Sequence, residues 1–270
     1  PYALVRDHKI KELCNDANII CNEFQDYYLY EPGTILTGSN TCYKKFTPFY
    51  NKALKISVDK PTTILKKKLS VKFVTLGHST SFNAMSIHYK INENTLVRGG
   101  RTSGLKQLKE TIKTQQNYDQ MRNILSHNTS LLSAYIKFGC ISIREVYHFF
   151  RNNFGINSEL MRQLIWRDFY AQVLFAYPYV LDPKNNKITW NKNKTYLERW
   201  HLGKTGFPVI DACMRQLNET GWMHNRGRLV TSCFLVKTLL LDWRDGEKYF
   251  AKNLIDYDVA NNNGNWQWLS

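Results

Sequence analysis

The chain has 270 residues, a formal net charge of +15 and a large aromatic set of 7 Trp, 16 Tyr and 14 Phe. This length can bury a substantial core, in one large domain or in a small domain beside a larger one. No apolar run approaches the roughly 20 residues of a membrane span, and no signal-peptide pattern opens the chain, which excludes membrane and secreted classes and predicts a soluble protein.

Charge and cysteine content narrow the class further. A net charge of +15 attracts polyanions, usually nucleic acid or an anionic membrane surface, although a coding bias toward A and T would also enrich Lys and Asn. The six cysteines, at positions 14, 21, 42, 140, 213 and 233, include no C-x-x-C pair and no metal-like spacing with histidine. We therefore expect reduced thiols in an intracellular, reducing compartment, without disulfide bonds, zinc or another metal.

The first hundred residues predict the end of one layer followed by a connection. Residues 2–15 have a helical spacing of apolar side chains, and Ile19, Ile20 and Cys21 predict a short buried strand. A helix followed by such a strand is typical of an α/β layer. Glu31-Pro32-Gly33 predicts a turn. From residue 41 to about 98 the pattern weakens, which predicts an irregular surface connection with a solvated lysine run at 66–68.

From residue 104 onward the pattern is helical. Leu105, Leu108 and Ile112 predict one face of a basic amphipathic helix behind a Ser103 cap. Further helices are predicted behind Asn128–Ser130 and ending before Gly139, behind the Ser142-x-x-Glu145 capping box, behind Ser158, and from Pro208 to Gly221. Residues 229–241 are apolar nearly all round, which predicts a buried helix. The sequence thus predicts a mainly α domain.

Two short stretches hold residues suited to binding anions. Thr129, Ser130 and Ser133 lie near a predicted helix N-terminus, where free backbone N–H groups bind phosphate, although the same residues also serve as ordinary caps. Arg226 and Arg228 begin an otherwise apolar helix and need anionic partners, which phosphate, a flavin-associated carboxylate or a buried aspartate would supply.

The last seventeen residues, 254–270, combine Asp256, Asp258, three consecutive asparagines and two tryptophans around a glutamine. This composition makes a poor core and a poor solvated loop. It indicates either a planar, hydrogen-bonding ligand or a buried polar turn network packed by tryptophans.

Four motifs follow one another in the C-terminal part: Thr205–Leu217 (TGFPVIDACMRQL), Thr220–Arg228 (TGWMHNRGR), Asp242–Phe250 (DWRDGEKYF) and Asp256–Trp268. In this order and spacing they resemble the flavin-binding domain of the DNA photolyase and cryptochrome family. The likeness extends to Gln163–Phe169, to Thr129–Gly139 and more loosely to Lys44–Phe49, so it covers nearly the whole chain. Within the family the chain is most similar to class I cyclobutane pyrimidine dimer photolyases.

The resemblance implies a mainly α fold in three parts. A helical, photolyase-type FAD-binding domain would occupy residues 104–270. It would be preceded by the C-terminal remnant of an α/β (Rossmann-like) antenna domain at 1–40 and by an irregular interdomain connection at 41–103. The resemblance also implies FAD in its reduced form. An antenna chromophore, folate or deazaflavin, would be a second cofactor that the sequence does not identify.

Residue roles follow from the resemblance position by position. Tyr118 and the loop of Thr129, Ser130, Leu131, Leu132 and Ser133 would contact the FAD phosphates and ribitol. Arg228, Asp256 and Asp258 would surround the isoalloxazine, and Asn262 would face its N5 nitrogen. Trp266, Trp243 and Trp190 match the relay that reduces oxidised flavin from the surface inward.

The partner implied by the resemblance is UV-damaged DNA, whose lesion is flipped out of the duplex and split by an electron from light-excited FADH⁻. Trp166 and Trp268 would hold the flipped bases, Asn225 and Arg226 would line the pocket mouth, and Gln163 would contact the lesion. Basic residues would bind backbone phosphates largely independently of sequence. A monomer is expected, with no membrane partner.

Gln163 departs from the dimer photolyase pattern. Bacterial dimer photolyases usually have Glu where this chain has Gln163, and an amide donates and accepts hydrogen bonds but supplies no proton. Gln at this position is similar to (6-4) photolyases and animal cryptochromes. Those proteins have a His pair where this chain has His224-Asn225, whereas Asn225-Arg226 is typical of dimer repair.

Two other functions stay open from the sequence. Gln163 indicates a cryptochrome-type blue-light photoreceptor without repair activity, and the basic composition fits a non-catalytic nucleic-acid-binding remnant that has lost flavin. Because the chain starts at Pro1 and stops two residues after Trp268, we expect it to be cut at both ends. A second polypeptide would then be a candidate source of the missing segments.

Overall fold

The computed structural model describes residues 2–62, 84, 92–181 and 188–270, with side chains from Val5 onward. Within these ranges β-structure is limited to isolated bridges between Leu36 and Cys42 and between Asn191 and Leu241. The predicted mainly α class is therefore confirmed. The lysine run at 66–68 lies outside the described residues.

The helices follow one another in this order: α1 (Tyr2–Asp16), α2 (Phe46–Ala53), α3 (Arg101–Thr114), α4 (Tyr118–Met121), α5 (Ser133–Lys137), α6 (Ile143–Phe154), α7 (Glu159–Ala176), α8 (Lys194–His201), α9 (Pro208–Thr220), α10 (Asn225–Cys233), α11 (Trp243–Asn253) and α12 (Val259–Leu269). A 3₁₀ turn at Pro178–Leu181 follows α7, and a π-helical turn at Phe234–Thr238 follows α10. Among the described residues no helix combines the length and hydropathy needed to cross a membrane.

Several predicted helix ends are confirmed. Ser142 and Glu145 form the reciprocal capping box of α6, and Ser158 accepts a hydrogen bond from the Met161 N–H at the start of α7. Pro208 occupies the first turn of α9, which ends at Gly221 in the left-handed conformation (φ 69°).

Two predicted caps are wrong. Helix α3 begins at Arg101 behind Gly100, so Ser103 lies inside the first turn. Residues 128–132 form a loop, and α5 begins only at Ser133 without a side-chain cap. Two glutamine side chains of the α3 region hold this loop, because Gln107 donates to the Ser130 carbonyl (2.9 Å) and Gln115 donates to the Asn128 carbonyl (3.0 Å).

The predicted buried strand at Ile19–Cys21 is also wrong. These residues belong to no β-ladder, and Ile19 and Ile20 are 59% and 85% exposed. A buried strand needs neighbours that satisfy its backbone and cover its side chains, and no such neighbour lies among the described residues.

Two further stretches differ from the sequence pattern. Helix α2 falls in the range predicted to be irregular, and its Phe46, Phe49 and Tyr50 are buried. Residues 229–241 do not form one uniformly buried helix, because the π-helical turn interrupts it and Val230 and Leu240 are exposed. The turn still buries Phe234, Leu235 and Val236.

Two apolar clusters position the site. The first joins residues 29–58 to α3 and to α5–α7, and the second is built from α8, α9, α11, α12, the π-helical turn and neighbouring loop residues. Helices α7 and α12 pack closely, because Gly264 of α12 lies directly against the ring of Tyr170. The candidate residues of α7 and α12 therefore lie on two helices in direct contact.

Candidate functional site

A buried ion pair joins the start of α10 to the segment before α12. The Arg228 guanidinium donates through Nη2 to both carboxylate oxygens of Asp256 (3.1 and 2.9 Å) and through Nε to the Met223 carbonyl (2.9 Å). Asp256 is 8% exposed. Within the described part of the chain Nη1 of Arg228 has no hydrogen-bond partner, so this half-buried cation keeps a donor for a ligand.

Asp258 caps helix α12. Its Oδ1 accepts from the backbone N–H of Asn261 (3.0 Å) and from Asn261 Nδ2 (2.8 Å). Burial raises the pKa of this carboxyl, but the hydrogen bonds from Asn261 and Tyr27 and the charge of Arg167 outweigh burial and hold the pKa below its ordinary value. Asp258 is therefore a fixed anion at the helix N-terminus.

Asn262 is oriented by Glu247 of α11. Its Nδ2 donates to Glu247 Oε1 (2.9 Å) and to the Glu247 carbonyl (3.3 Å). Because both amide hydrogens are used in this way, Oδ1 is the atom of Asn262 left to contact a ligand, and it is an acceptor.

A second group of candidates comes from α4 and the 128–132 loop. Arg226 donates to Asn123 Oδ1 (2.7 Å) just after α4, which places Tyr118 near the start of α10. Lys137, at the end of the helix that follows the loop, lies 3.9 Å from Asp258 Oδ2. Direct contacts thus connect Asn123, just after α4, to α10, α10 to Asp256, and α5, which directly follows the loop, to Asp258.

Members of that loop differ in accessibility. Thr129, Ser130 and Leu131 are half-buried, Leu132 is buried and Ser133 is exposed. Leu131 adopts a positive φ of 55°, and Leu132, at 2% exposure, anchors the loop in the core. The backbone of Thr129–Leu131 therefore stays near the surface, where its N–H groups can reach a ligand.

An aromatic pair joins helices α7 and α12. Trp166 of α7 stacks on Phe46 (centroids 3.6 Å apart, planes at 4°) and meets Trp268 edge to face (5.9 Å, 63°). Trp268 is 69% exposed. Gln163 lies one turn before Trp166 on the same helix, and among the described residues neither its amide nor that of the exposed Asn225 is hydrogen-bonded.

The three relay candidates share the second cluster. Trp266 and Trp243 are 2% and 3% exposed, and Trp190 packs against the cluster from its edge. Trp266 contacts Phe250 (5.1 Å) and Trp200 (6.3 Å), two buried rings that the sequence did not single out.

Two buried histidine nitrogens without hydrogen-bond partners among the described residues bear on whether a polar ligand fits the site at the start of α10. Nδ1 of His224 accepts from the Arg226 N–H (3.1 Å), so in the neutral ring Nε2 carries the proton. That Nε2 is buried without a partner among the described residues, and so is Nε2 of His127. Burial, followed by the charges of Arg226, His127 and Arg228, lowers the pKa of His224. These unpartnered polar atoms, with Arg228 Nη1, suit a large polar ligand that bears acceptors, such as a dinucleotide.

Other site types receive less support. No group of three His, Cys, Asp or Glu side chains within the described ranges is arranged to hold a metal ion. Two surface cavities beside His148, both also lined by Pro61 and Asn152, involve none of the candidate residues.

Sequence reasoning missed three side chains that orient the candidates, namely His224, Glu247 and Lys137. His224 and Glu247 lie inside quoted motifs, yet neither residue type signals a supporting role without the fold.

Comparisons with known proteins identify the family that the chain resembles. A family model described as the FAD binding domain of DNA photolyase matches residues 160–270, and one described as DNA photolyase matches residues 1–66. The deoxyribodipyrimidine photo-lyase of Escherichia coli is 36% identical over 275 residues, which cover 94% of this chain and 56% of that protein.

Solved structures show the same fold. The archaeal photolyase from Sulfolobus tokodaii, solved with two FAD molecules, aligns with a TM-score of 0.81 at 36% identity, covering all of this chain and 59% of that one. A Synechocystis cryptochrome aligns with a TM-score of 0.79 at 26% identity, covering 100% of this chain and 60% of the other. The chain spans a little over half the length of these relatives. It belongs to the DNA photolyase and cryptochrome family.

Proposed function

We propose that the protein binds reduced FAD and uses light to split cyclobutane pyrimidine dimers in DNA. The observation that carries the proposal is the position of helix α12. It begins just after Asp256, the partner of Arg228, and carries Asn262 in its first turn, and at its other end it brings Trp268 to Trp166. One rigid element thus links residues suited to a flavin with residues suited to flipped bases.

FAD would be held by charge and by backbone groups. Arg228 Nη1 and the His224 Nε2–H are donors toward the ligand, and the loop at Thr129–Ser133 offers N–H groups for phosphate oxygens. Burial raises the pKa of Tyr118, so its phenol remains protonated and can donate as well. When bound and reduced, FAD would, on excitation by light, lend the electron that opens the cyclobutane ring and would recover it once the two pyrimidines have separated.

Asn262 would set the protonation of the flavin at N5. Its Oδ1 is the free atom because Glu247 takes both amide hydrogens. An acceptor there favours a protonated nitrogen opposite it. Asn262 can thus hold a proton on N5 without donating one itself.

The lesion would bind between aromatic faces. Trp268 offers an exposed ring next to Trp166, and stacking on such rings offsets part of the cost of unstacking the damaged bases. Gln163 has a free amide that can donate to and accept from a pyrimidine edge. Arg226 and the excess of basic residues would bind the DNA backbone.

Trp266, Trp243 and Trp190 would carry electrons from the surface to the flavin. Trp190 is only partly buried, whereas Trp243 and Trp266 are buried, so Trp190 would be the end of the relay nearest the surface. Monomeric action, an antenna chromophore of folate or deazaflavin type, a completing second polypeptide and an intracellular location belong to the same proposal.

The test is illumination of the chemically reduced, FAD-loaded protein with an oligonucleotide that contains one thymine dimer. We expect intact thymines to appear in the light and not in a dark control. A flavin-loaded protein that restores no thymine at saturating light would refute the repair function and favour a cryptochrome-type photoreceptor, for which the Gln163 side chain is the specific observation.

A non-catalytic nucleic-acid-binding remnant is the other alternative, and the basic net charge of +15 is the observation that favours it. This function predicts a colourless purified protein that takes up no added FAD yet binds DNA in a salt-dependent manner.

A further inference from the structure

The hydroxyl of Tyr27 reaches a carboxylate far along the chain. Tyr27 Oη donates to Asp258 Oδ2 at 2.9 Å, across a separation of 231 residues. Tyr27 belongs to the N-terminal segment that the sequence assigned to the antenna domain, whereas Asp258 caps the helix that carries Asn262. This hydrogen bond joins the two parts directly.

The hydrogen bond from Tyr27 completes the set of hydrogen bonds to the buried Asp258 carboxylate. Asn261 occupies Oδ1 of Asp258 with two hydrogen bonds, and Tyr27 occupies Oδ2. Lys137 Nζ lies 3.9 Å from the same Oδ2, which is too far for a hydrogen bond. Without the Tyr27 hydroxyl, Oδ2 would have no hydrogen bond among the described residues, and the charges of Lys137 and Arg167 would remain to restrain it.

Tyr27 is itself held in place. The Arg167 guanidinium lies 4.3 Å from the Tyr27 ring centroid, and Arg167 Nη1 donates to the Tyr27 carbonyl (2.7 Å). Tyr28 packs edge to face on Tyr27 (4.7 Å). Because Arg167 follows Trp166 on α7, the tyrosine is fixed to the helix that carries the proposed lesion residues.

We infer that Tyr27 is a positioning residue of the flavin site, which fixes the Asp258 carboxylate and, through it, the first turn of the helix that carries Asn262. This inference rests on the proposed function for its flavin and adds the N-terminal segment to the site. Removal of the hydroxyl frees Oδ2 to rotate toward Lys137. The Asn261 N–H then loses a fixed acceptor and the turn holding Asn262 loosens.

The neighbouring tyrosine provides a matched control. Tyr28 also lies over Arg167, at 4.7 Å, but its hydroxyl makes no hydrogen bond within the described residues. Tyr27→Phe and Tyr28→Phe therefore each remove one hydroxyl from adjacent half-buried rings, and only the first removes a bond to Asp258.

Two readouts test the inference in the full chain. The first is amide hydrogen exchange at Asn261 and Asn262 without FAD, and the second is the dissociation constant for FAD. We expect Tyr27→Phe to speed exchange and to weaken FAD binding, each about 3- to 10-fold, while Tyr28→Phe stays within about twofold of the parent. Equal effects of the two variants, or none from Tyr27→Phe, would overturn it.

The two readouts also separate this inference from the proposed function. A parental chain that binds no FAD contradicts the proposed function and the flavin role of Tyr27 together. If the parent binds FAD but Tyr27→Phe changes neither readout, only the positioning role falls.

Discussion

A methyl group at position 264 would collide with Tyr170. An ideal Cβ on Gly264 would lie 2.3 Å from Cδ1 and 2.7 Å from Cε1 of that ring, well inside ordinary contact distance. The ring has little freedom to move, because it stacks on Trp166 (5.7 Å) and its hydroxyl donates to Asn265 (3.2 Å). Gly264→Ala must therefore push α12 away from α7.

The expected loss of stability follows from the steric overlap between a Cβ at position 264 and the Tyr170 ring. Relief requires a separation of roughly 1 Å between the two helices, and overpacking of this kind costs about 1–3 kcal/mol. At roughly 2–4 °C per kcal/mol for a chain of this size, the Tm should fall by about 2–12 °C. The same movement separates Trp268 from Trp166, so affinity for thymine-dimer DNA should fall as well.

Thermal unfolding and dimer-DNA titration measure these two effects. Gly38→Ala is the control, because a Cβ at Gly38 meets nothing within 4 Å. The double variant Tyr170→Ala/Gly264→Ala should lose less stability than the sum of the losses of the two single variants, because the first change removes the ring that the new methyl group would meet. The reasoning is refuted if Gly264→Ala is as stable as Gly38→Ala, or if the Tyr170 change is purely additive.

Three further predictions concern single side chains. Burial raises the pKa of Asp168 to about 7, so the folded chain holds a proton that the unfolded chain has released, and stability falls as the pH rises from about 4 to 7. Asp168→Asn should reduce the pH dependence of the unfolding free energy over this window by up to about 1.4 kcal/mol per pH unit. If denaturant titrations at several pH values give the same pH dependence for the variant as for the parent, the prediction is wrong. Gln163→Leu should weaken dimer-DNA binding about 5- to 10-fold and leave FAD affinity unchanged; a parallel loss of FAD would disprove a lesion contact. Trp266→Phe should slow photoreduction of oxidised flavin, measured by absorbance, while chemically reduced protein repairs at the parental rate.

Local signals predicted much of the fold because they depend on neighbouring residues only. The capping box at Ser142 and Glu145 and the left-handed Gly221 satisfy backbone groups within their own turn. The candidate site was predicted as a set of residues by ordered motifs, and the structure places Arg228 against Asp256.

Features that depend on distant partners could not be predicted in this way. The loop before α5 takes its shape from Gln107 and Gln115, which no local pattern connects to it. Ile19 and Ile20 have strand propensity, but propensity supplies no neighbouring strand. The contact of Tyr27 with Asp258 crosses most of the chain, so it required the fold.

The central claim is that four separate segments form one flavin site. Equilibrium titration of the full chain with FAD, followed by quenching of flavin fluorescence and by induced circular dichroism in the visible range, tests it most directly. We expect saturation at one FAD per chain, with an induced signal from an asymmetric site. Binding that fails to saturate, or no binding at all, would contradict it.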